Sequence, residues 1–371
     1  MDASNQVPQQ PLRILHVVTN MSYGGLENLL MSYYRKIDRQ KVQFDFLTHF
    51  ADHQDFEEEI AALGGRLFRL PRLNPVSRSY HQSLLQFFRE HPEYRIVHSH
   101  LDCMAGIPLK AAEECGVPVR IAHSHNSNQT KNLKYPIKMF YRKHIKQYAT
   151  DLFACSKTAG DWMFRGSSFT VMRNAIDASA FQYNPSLREA VRHTLNLDND
   201  FVIGHVGQFR EQKNHLFLIE IFSEFLKLHP TGKLLLAGKG PTFKASQELA
   251  SKLHISDHIL FLGARSDISD LMQAMDIFIL PSLYEGLPVT MVEAQASGLP
   301  CLISDHVPAD CIITDHVKQL PLSAGAAFWA KELETQTGYI RKDTYHEIVN
   351  AGFDIQNNAA WLEDFYCHAE K

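Results

Sequence analysis

The segment from Asp276 to Asp305, DIFILPSLYEGLPVTMVEAQASGLPCLISD, carries the clearest signal of the fold class of this chain. Its unbroken apolar run from Ile277 to Leu280 predicts a buried parallel strand, and residues 300–303 predict the next one. Between them a loop leads into a helix whose first turn can hold Pro288, because the missing N–H of proline is not needed there. The order strand, loop, helix, strand is typical of a parallel sheet covered by helices.

Two glutamates lie in the part of this unit where a ligand would bind. Glu285 lies in the loop at the carboxyl end of the first strand, and Glu293 lies in the second turn of the helix. Helical side chains lean toward the N-terminus, so Glu293 can reach back over the helix mouth, which itself attracts anions. A ligand with both phosphate and hydroxyls suits this arrangement, because carboxylates accept hydrogen bonds from hydroxyls. The simpler interpretation is one helix-capping glutamate and one solvated glutamate.

The two glutamates and the string around them, PSLYEGLPVTMVEAQASGLPCLISD, resemble the signature of the retaining glycosyltransferases of family 4. This sequence segment is most similar to that of bacterial enzymes that build exopolysaccharide or capsule. The resemblance covers the chain from about residue 13 onward and implies an α/β GT-B fold, in which two doubly wound Rossmann-like domains face each other across a cleft. It further implies that Glu293 binds the ribose hydroxyls and Glu285 binds the donor sugar. The helix mouth that it places at the donor diphosphate comprises Gly286, Leu287 and Pro288.

Length and composition favour two domains and a cytoplasmic location. A chain of 371 residues exceeds what one core usually supports. We predict a flexible tail (1–12), an acceptor-side domain (13–185), a nucleotide-sugar-binding domain (186–350) and a C-terminal helix that returns to the first domain (351–371). The net charge of −4 disfavours nucleic acid as a partner. No apolar run reaches the length of about 18 residues that a membrane-spanning helix needs. Six scattered cysteines and the absence of a signal-peptide pattern indicate the cytoplasm.

A glycine pair follows the first predicted strand, residues 13–19. Gly24 and Gly25 open a helix without the G-x-G-x-x-G pattern, which disfavours a nicotinamide or flavin site. An ordinary strand-to-helix turn would look the same. The resemblance places Gly25, with Gly24 beside it, against the donor diphosphate.

Two later strands end in histidines, HSH at 98–100 and AHSHNS at 122–127. Ligands of such sheets bind outside the carboxyl ends of the strands, where a histidine can hydrogen-bond a sugar or help a hydroxyl to lose its proton. For any single one of these histidines, a polar cap on the strand end is the more common role. The resemblance implies one active-site histidine beside the donor sugar. It assigns His125, with His123 as the alternative.

Residues 131–150 contain no acidic residue and carry a cation at every fourth position. The cations that form this predicted basic stripe are Lys134, Lys138, Arg142 and Lys146. With an apolar opposite side, such a helix can lie on an anionic membrane or can be a solvated surface helix. The resemblance favours a peripheral contact at the inner face of the cell membrane, since related enzymes often glycosylate lipid-linked acceptors.

Lys213 precedes a helix that we predict to begin near Asn214. A cation at a helix N-terminus is unfavourable unless an anion lies between them, although a solvated lysine is the simpler interpretation. The family places an arginine and a lysine here against the diphosphate. Lys213 matches the lysine, but Gln208 stands at the arginine position, and Arg210 lies two residues further on, where it could compensate.

Two further strand ends complete the predicted donor site. Gly238 ends the strand 233–237, and Ala264 and Arg265 follow the strand that begins at residue 259. The resemblance places the nucleotide base against the backbone around Ala264 and Arg265.

The resemblance implies transfer of a sugar, with retention of configuration, from a nucleotide diphosphate donor to a hydroxyl of a lipid-linked or saccharide acceptor. It gives catalytic roles to His125, Lys213 and Glu285 and favours a UDP-sugar as donor. We expect no metal and no cofactor, because no D-x-D motif appears in a supporting context. Two other interpretations stay open: a non-catalytic nucleotide-sugar-binding subunit, which Gln208 favours, and a same-fold epimerase or phosphorylase.

Overall fold

The computed structural model describes residues 10–126, 133 and 135–369 and divides them into two compact units. Unit 1 contains the described residues up to Ala175 and from Ile355 onward, and unit 2 is Ile176–Asp354.

Unit 1 is built on one parallel sheet with helices between its strands. Its strands are β1 (Leu12–Val17), β2 (Val42–Thr48), β3 (Leu67–Arg69), β4 (Ile96–Ser99), β5 (Val119–Ser124), β6 (Asp151–Ala154) and β7 (Thr170–Val171). Its helices before the last one are α1 (Gly25–Lys36), α2 (Glu57–Ala62), α3 (Arg78–Glu90), α4 (Gly106–Glu114), α5 (Tyr135–Tyr148) and α6 (Lys157–Phe164). The strand order is β3-β2-β1-β4-β5-β6-β7, so the chain reverses direction across the sheet between β1 and β4. The carboxyl ends at this reversal are where ligands of such sheets bind.

Unit 2 repeats the same architecture. Its strands are β8 (Val202–Val206), β9 (Lys233–Ala237), β10 (Ile259–Gly263), β11 (Ile277–Leu280), β12 (Cys301–Ser304) and β13 (Val317–Leu320). Its helices are α7 (Ala178–Phe181), α8 (Pro185–Thr194), α9 (His215–Leu226), α10 (Phe243–Lys252), α11 (Ile268–Ala274), α12 (Val289–Ala296), α13 (Ala326–Glu334) and α14 (Tyr345–Asn350). The order β10-β9-β8-β11-β12-β13 reverses between β8 and β11, so the second predicted doubly wound sheet is confirmed.

The segment from Asp276 to Asp305 forms β11, α12 and β12. Pro288 is the cap residue before α12 and not part of its first turn, one position earlier than expected. Gly298 ends the connection with a positive φ of 66°, and a Cβ there would lie 2.1 Å from the carbonyl oxygen of Lys342. Only glycine allows that close approach, which explains why the helix stops there.

The boundary between the units lies after Ala175, earlier than the predicted boundary after residue 185. Gln273 of α11 holds the intervening segment to unit 2. Its side-chain oxygen accepts from the backbone N–H of Asn184 at 3.0 Å, and its amide nitrogen donates to the carbonyl of Phe181 at 3.4 Å. The partners of the Gln273 side chain are backbone groups, and the sequence pattern does not reveal such bonds.

The last helix, α15 (Ile355–Ala369), belongs to unit 1. Leu362 and Tyr366 are buried in the core of that unit beside β1 and β2. The Tyr366 hydroxyl is 2.7 Å from Nδ1 of His98, and Lys41 forms a 2.8 Å ion pair with Glu363.

Candidate active site

Backbone hydrogen bonds join the loops at the carboxyl edge of the unit 2 sheet. The N–H of Gly207 donates to Ala237 at 3.0 Å, and the N–H of Gly238 donates to Gly263 at 2.7 Å. Gly238 has a φ of 151°, and a Cβ there would lie 1.9 Å from the carbonyl oxygen of Gly207. A side chain at this position would therefore push the loops apart.

Lys213 and Glu285 meet at this edge although 72 positions separate them. The Lys213 ammonium lies 2.6 Å from a carboxylate oxygen of Glu285, and the two side chains are only 16% and 6% exposed. The amide of Gln212 donates to the other carboxylate oxygen at 3.2 Å. A Cβ on Gly207 would lie 3.4 Å from Cε of Lys213, so the glycine makes room for the lysine stem. The anion expected beside Lys213 is thus supplied in this structure by the protein's own Glu285.

Glu293 lies in a different environment from Glu285. Burial raises the pKa of its carboxyl group to about 7, and no hydrogen bond from the described residues offsets that rise. Thr290 lies three residues earlier on α12, on the same face, and its buried hydroxyl has no hydrogen-bond partner among the described residues. Within the described part of the chain, the buried hydroxyl of Ser282, in the loop before the helix, also has no hydrogen-bond partner. Buried polar groups are normally satisfied, so these atoms at the mouth of α12 indicate a ligand site.

Sequence reasoning missed Thr290 and Ser282. The signal for Thr290 was its spacing from Glu293, because a hydroxyl three residues before a functional helical carboxylate shares its face. Ser282 had no such signal.

Gln208 and Arg210 lie on either side of the fully buried Phe209, and both are exposed. Among the described residues, neither side chain has a hydrogen bond or an ion pair. The backbone is extended at Arg210, with φ −123° and ψ 156°. The side-chain charge of Arg210 is therefore not compensated by a described residue of unit 2. Its backbone carbonyl accepts a hydrogen bond from the N–H of Lys213 at 3.0 Å.

Ala264 and Arg265 follow β10 and are exposed. The guanidinium of Arg265 donates from Nε to Asp267 at 2.8 Å, so its charge is already compensated. Their predicted contact with the nucleotide base involves the backbone and stays a prediction.

In unit 1, Gly24 caps α1 and Gly25 is its first residue. A Cβ on Gly25 would meet no atom of the described residues within 4 Å, so these residues leave space at the predicted diphosphate position. A Cβ on Gly24 would lie 2.3 Å from a carboxylate oxygen of Glu27, in the first turn of α1. Burial raises the pKa of Glu27. This carboxylate was not anticipated, although an acidic residue in a first helical turn is a common helix-stabilising choice.

Five buried or half-buried histidines meet at the carboxyl ends of β1, β4 and β5, because these strands are neighbours in the sheet. His100 bonds to Nδ1 of His16 at 3.0 Å and to Nε2 of His125 at 2.9 Å. A second contact joins His98 and His123 at 3.1 Å. Burial lowers the pKa of each of these imidazoles.

The two candidate active-site histidines differ in position. His123 is 1% exposed, whereas His125 is half-buried beyond the end of β5. His125 is therefore the one that can reach a ligand. In two groups of three histidines, ring nitrogen atoms lie within 4.8 Å of one another, a spacing that could hold a metal ion. One group is His16, His98 and His100, and the other is His100, His123 and His125. The sequence showed only separate strand ends, and the strand order placed them together.

The predicted basic stripe does not form one surface of α5. Arg142 is buried at 5% exposure, where it donates to the Trp162 carbonyl at 3.1 Å and lies 4.8 Å from that indole ring. Lys146 donates to Ser167 at 2.9 Å, Lys138 is half-buried, and Lys134 lies outside the described residues. Residues at every fourth position drift by about 40° per step around a helix of 3.6 residues per turn, so such a row turns into the packed side.

The exposed side of α5 instead combines apolar and basic residues. Ile137 is 46% exposed, Phe140 is 58% exposed, and Lys143 is also exposed. Within the described part of the chain, no helix has both the length and the hydropathy needed to cross a membrane.

Comparisons with known proteins agree with this architecture. The family model described as glycosyl transferases group 1 matches residues 188–334, and the model of glycosyltransferase family 4 matches residues 23–180. The putative glycosyltransferase EpsF of Bacillus subtilis is 36% identical over 95% of this chain and 96% of its own length. A UDP-Gal:alpha-D-GlcNAc-diphosphoundecaprenol alpha-1,3-galactosyltransferase of Escherichia coli is 26% identical over 77% of this chain and 79% of its own.

Solved structures share the fold at low sequence identity. HepE of Anabaena, crystallised in complex with UDP and glucose, matches with a TM-score of 0.79 and 18% identity over 96% of this chain and 99% of its own. WaaG, a glycosyltransferase involved in lipopolysaccharide biosynthesis, matches with a TM-score of 0.70 and 16% identity, over 95% and 99%. These likenesses confirm a GT-B-like fold. The chain belongs to the family 4, group 1 glycosyltransferases, of the type that acts in bacterial polysaccharide biosynthesis.

Proposed function

We propose that this glycosyltransferase moves a sugar, with retention of configuration, from a UDP-sugar to a hydroxyl of a lipid-linked or saccharide acceptor in exopolysaccharide or capsule synthesis. The observation that carries the proposal is the group of residues at the carboxyl edge of the unit 2 sheet. There a buried Lys213–Glu285 pair lies beside a helix mouth with Glu293 and Thr290, whose polar groups have no hydrogen-bond partner among the residues that the structure describes. This arrangement offers acceptors for hydroxyls and donors for phosphate.

The chemical demand of the reaction is the negative charge that develops on the departing diphosphate. We propose that fixed donors meet this demand without a metal ion, through Lys213 and the backbone N–H groups at the start of α12. Because Lys213 lies 2.6 Å from Glu285 in this structure, a bound donor would have to share the ammonium between the carboxylate and the phosphate. Glu285 would then hold the lysine in place and contact the donor sugar with its remaining acceptor capacity.

Names of relatives support the choice of donor and acceptor. The Escherichia coli relative is named for a UDP-Gal donor and a diphosphoundecaprenol-linked acceptor. HepE was crystallised with UDP-glucose. By analogy we propose a UDP-sugar donor and a lipid-linked acceptor, with peripheral contact at the inner face of the cell membrane through the exposed side of α5.

The test is release of UDP from a panel of UDP-sugars, with and without lipid-extract acceptors and with and without EDTA. We expect acceptor-dependent release that EDTA does not reduce, and NMR of the product should show the anomeric configuration of the donor. Glu293→Ala should weaken UDP binding, and Glu285→Ala should lower turnover with nearly unchanged UDP affinity. Glu248→Ala, on the exposed surface of α10 at 67% exposure, is the matched control. Equal loss of UDP affinity in both site variants would contradict this division of roles.

A nucleotide-sugar-binding subunit without turnover is the second candidate. The exposed Gln208 favours it, because the family cation is missing there. UDP binding without release from any donor would support this alternative and contradict the enzymatic proposal.

A further inference from the structure

A chain of three imidazoles leads from the core of unit 1 to the candidate active-site histidine. Nδ1 of His16 lies 3.0 Å from Nε2 of His100, and Nδ1 of His100 lies 2.9 Å from Nε2 of His125. At the inner end, Nε2 of His16 is buried and has no hydrogen-bond partner within the described parts of the chain. At the outer end, Nδ1 of His125 has no partner among the described residues and is not among the buried unpartnered atoms.

Counting protons restricts this chain to two arrangements. A neutral imidazole carries one N–H, so each ring that donates through one nitrogen must accept through the other. If the protons are on Nδ1, His16 donates to His100, His100 donates to His125, and His125 presents an N–H outward. If the protons are on Nε2, every bond runs in the opposite direction, and His125 presents a bare Nδ1.

The inner end distinguishes the two arrangements. In the second one, the Nε2–H of His16 would be a buried donor without an acceptor, beside the rings of Phe44 and Phe46 at 4.2 and 5.6 Å between centroids. In the first one, the same atom is only a bare nitrogen in apolar surroundings. A buried unsatisfied N–H is the rarer and costlier defect, so the first arrangement is favoured.

We infer that His16 and His100 are positioning residues that fix the tautomer of His125, which carries its proton on Nδ1 and donates a hydrogen bond to an oxygen of the bound ligand. That His125 contacts the ligand rests on the proposed function; the tautomer itself does not. As a donor, His125 stabilises a phosphate or hydroxyl oxygen and does not remove a proton from the acceptor. The chain is no proton wire either, since it ends at a buried nitrogen.

The same histidines have a spacing that could hold a metal ion, but the contacts favour hydrogen bonds. Both ring nitrogens of His100 already face imidazole nitrogens at 2.9 and 3.0 Å. A metal would have to replace at least one of these contacts. The experiment therefore includes metal as an outcome.

Histidine-selective ¹⁵N labelling of the full chain, free of nucleotide, tests the inference by long-range ¹H–¹⁵N correlation at pH 7. Loss of a resonance pair in His125→Gln assigns His125. We expect a protonated Nδ1 and an unprotonated Nε2 for that residue. In His100→Leu the donor to His125 is gone, and the proton should move to Nε2, the form that free histidine favours in water. His98→Leu is the matched control, because His98 stacks on His100 at 4.3 Å but is not hydrogen-bonded to it, and the His125 signals should stay unchanged.

A protonated Nε2 of His125 in the wild type would overturn the inference. This spectrum needs only the assigning variant His125→Gln, at the half-buried outer end of the chain, and decides even if the His100 variants do not fold. Unchanged His125 signals in His100→Leu would overturn the inference as well. Zinc that co-purifies with the protein, and whose removal by EDTA shifts the His125 resonances, would also overturn it. In the release assay, His100→Gln should retain turnover, since its amide can accept from His16 and donate to His125. In His100→Leu the rate of UDP release should fall about tenfold, which corresponds to the loss of one hydrogen bond. Absence of release in the wild type would contradict the proposed function and leave the spectral result standing.

Discussion

At the scale of single residues, the Lys213–Glu285 pair links stability to function. Breaking a buried ion pair leaves one charge uncompensated, at a cost of about 3 kcal/mol, whereas removing both charges is often nearly neutral. We therefore expect Lys213→Met to lower the free energy of unfolding by about that amount. The double variant Lys213→Met/Glu285→Gln should recover most of it. Urea unfolding of both variants measures this, and equal loss in the two would show that the pair does not couple.

Glu293 should make the stability of unit 2 depend on pH. Its carboxyl pKa is raised by burial from the ordinary 4.5 to about 7. The folded state thus binds more protons than the unfolded chain between these values, so stability is fully present below about pH 4.5 and falls as the pH rises through 7. Each pKa unit corresponds to about 1.4 kcal/mol, which gives a loss of up to about 3 kcal/mol.

Glu293→Gln removes this titration, since glutamine is never charged. We expect the variant to be more stable than the wild type at pH 8 by up to about 3 kcal/mol and similar to it at pH 4.5. Thermal or urea unfolding across pH 4.5–8 checks the sign. A destabilised variant at pH 8 would mean that the free carboxylate is well solvated in the folded protein.

We predict that Gln208 and Arg210 determine how much positive charge lies near the proposed diphosphate position. A charge pair at about 4 Å is worth roughly 4 kcal/mol at an effective dielectric constant near 20, and desolvation opposes much of it. If turnover is limited by the missing charge, Gln208→Arg should raise it about ten- to a hundredfold. If Arg210 already supplies the charge, Arg210→Ala should be severe and Gln208→Arg should have little effect. UDP release by both variants and Lys213→Ala, measured in parallel, distinguishes the two.

At the scale of elements, α5 has an exposed side, for which we propose membrane contact, and a side that packs within unit 1. Phe140 and Lys143 are exposed, whereas Arg142 is buried against Trp162. Phe140→Ser with Lys143→Glu should reduce sedimentation with anionic vesicles, because each basic residue near such a surface contributes about 1 kcal/mol. The exposed Lys252→Glu, on α10, changes the charge equally and should have no effect.

Arg142→Glu should act differently from these surface changes. It removes the hydrogen bond to Trp162 and buries an acid, so we expect a lower unfolding temperature. Vesicle binding unchanged in the Phe140 and Lys143 variant would leave α5 as a solvated surface helix.

At the scale of the whole molecule, each unit has its own sheet, but unit 1 depends on the end of the chain. Leu362 and Tyr366 of α15 lie in its core, at 1% and 0% exposure. Loss of two such side chains exposes apolar surface worth several kcal/mol. The fold of unit 1 therefore requires residues that the chain supplies only after unit 2.

The class of fold, the family and most strand positions could be predicted from the amino-acid sequence. Local patterns suffice for these: the apolar run of β11 ends where predicted, at Leu280, and β9 spans the predicted residues 233–237. The two glutamates at the mouth of α12 were also apparent, because a loop and the first turns of a helix are close in sequence as well as in space.

Only the tertiary structure decided which distant groups meet. Strand order brought Lys213 to Glu285 and gathered five histidines from three strands into one cluster, and no periodicity encodes the order of strands in a sheet. It also decided that Arg142 is buried, since a row of every fourth residue leaves the exposed side of a helix with 3.6 residues per turn. Burial and pairing are properties of what surrounds a side chain, and those neighbours come from distant parts of the chain.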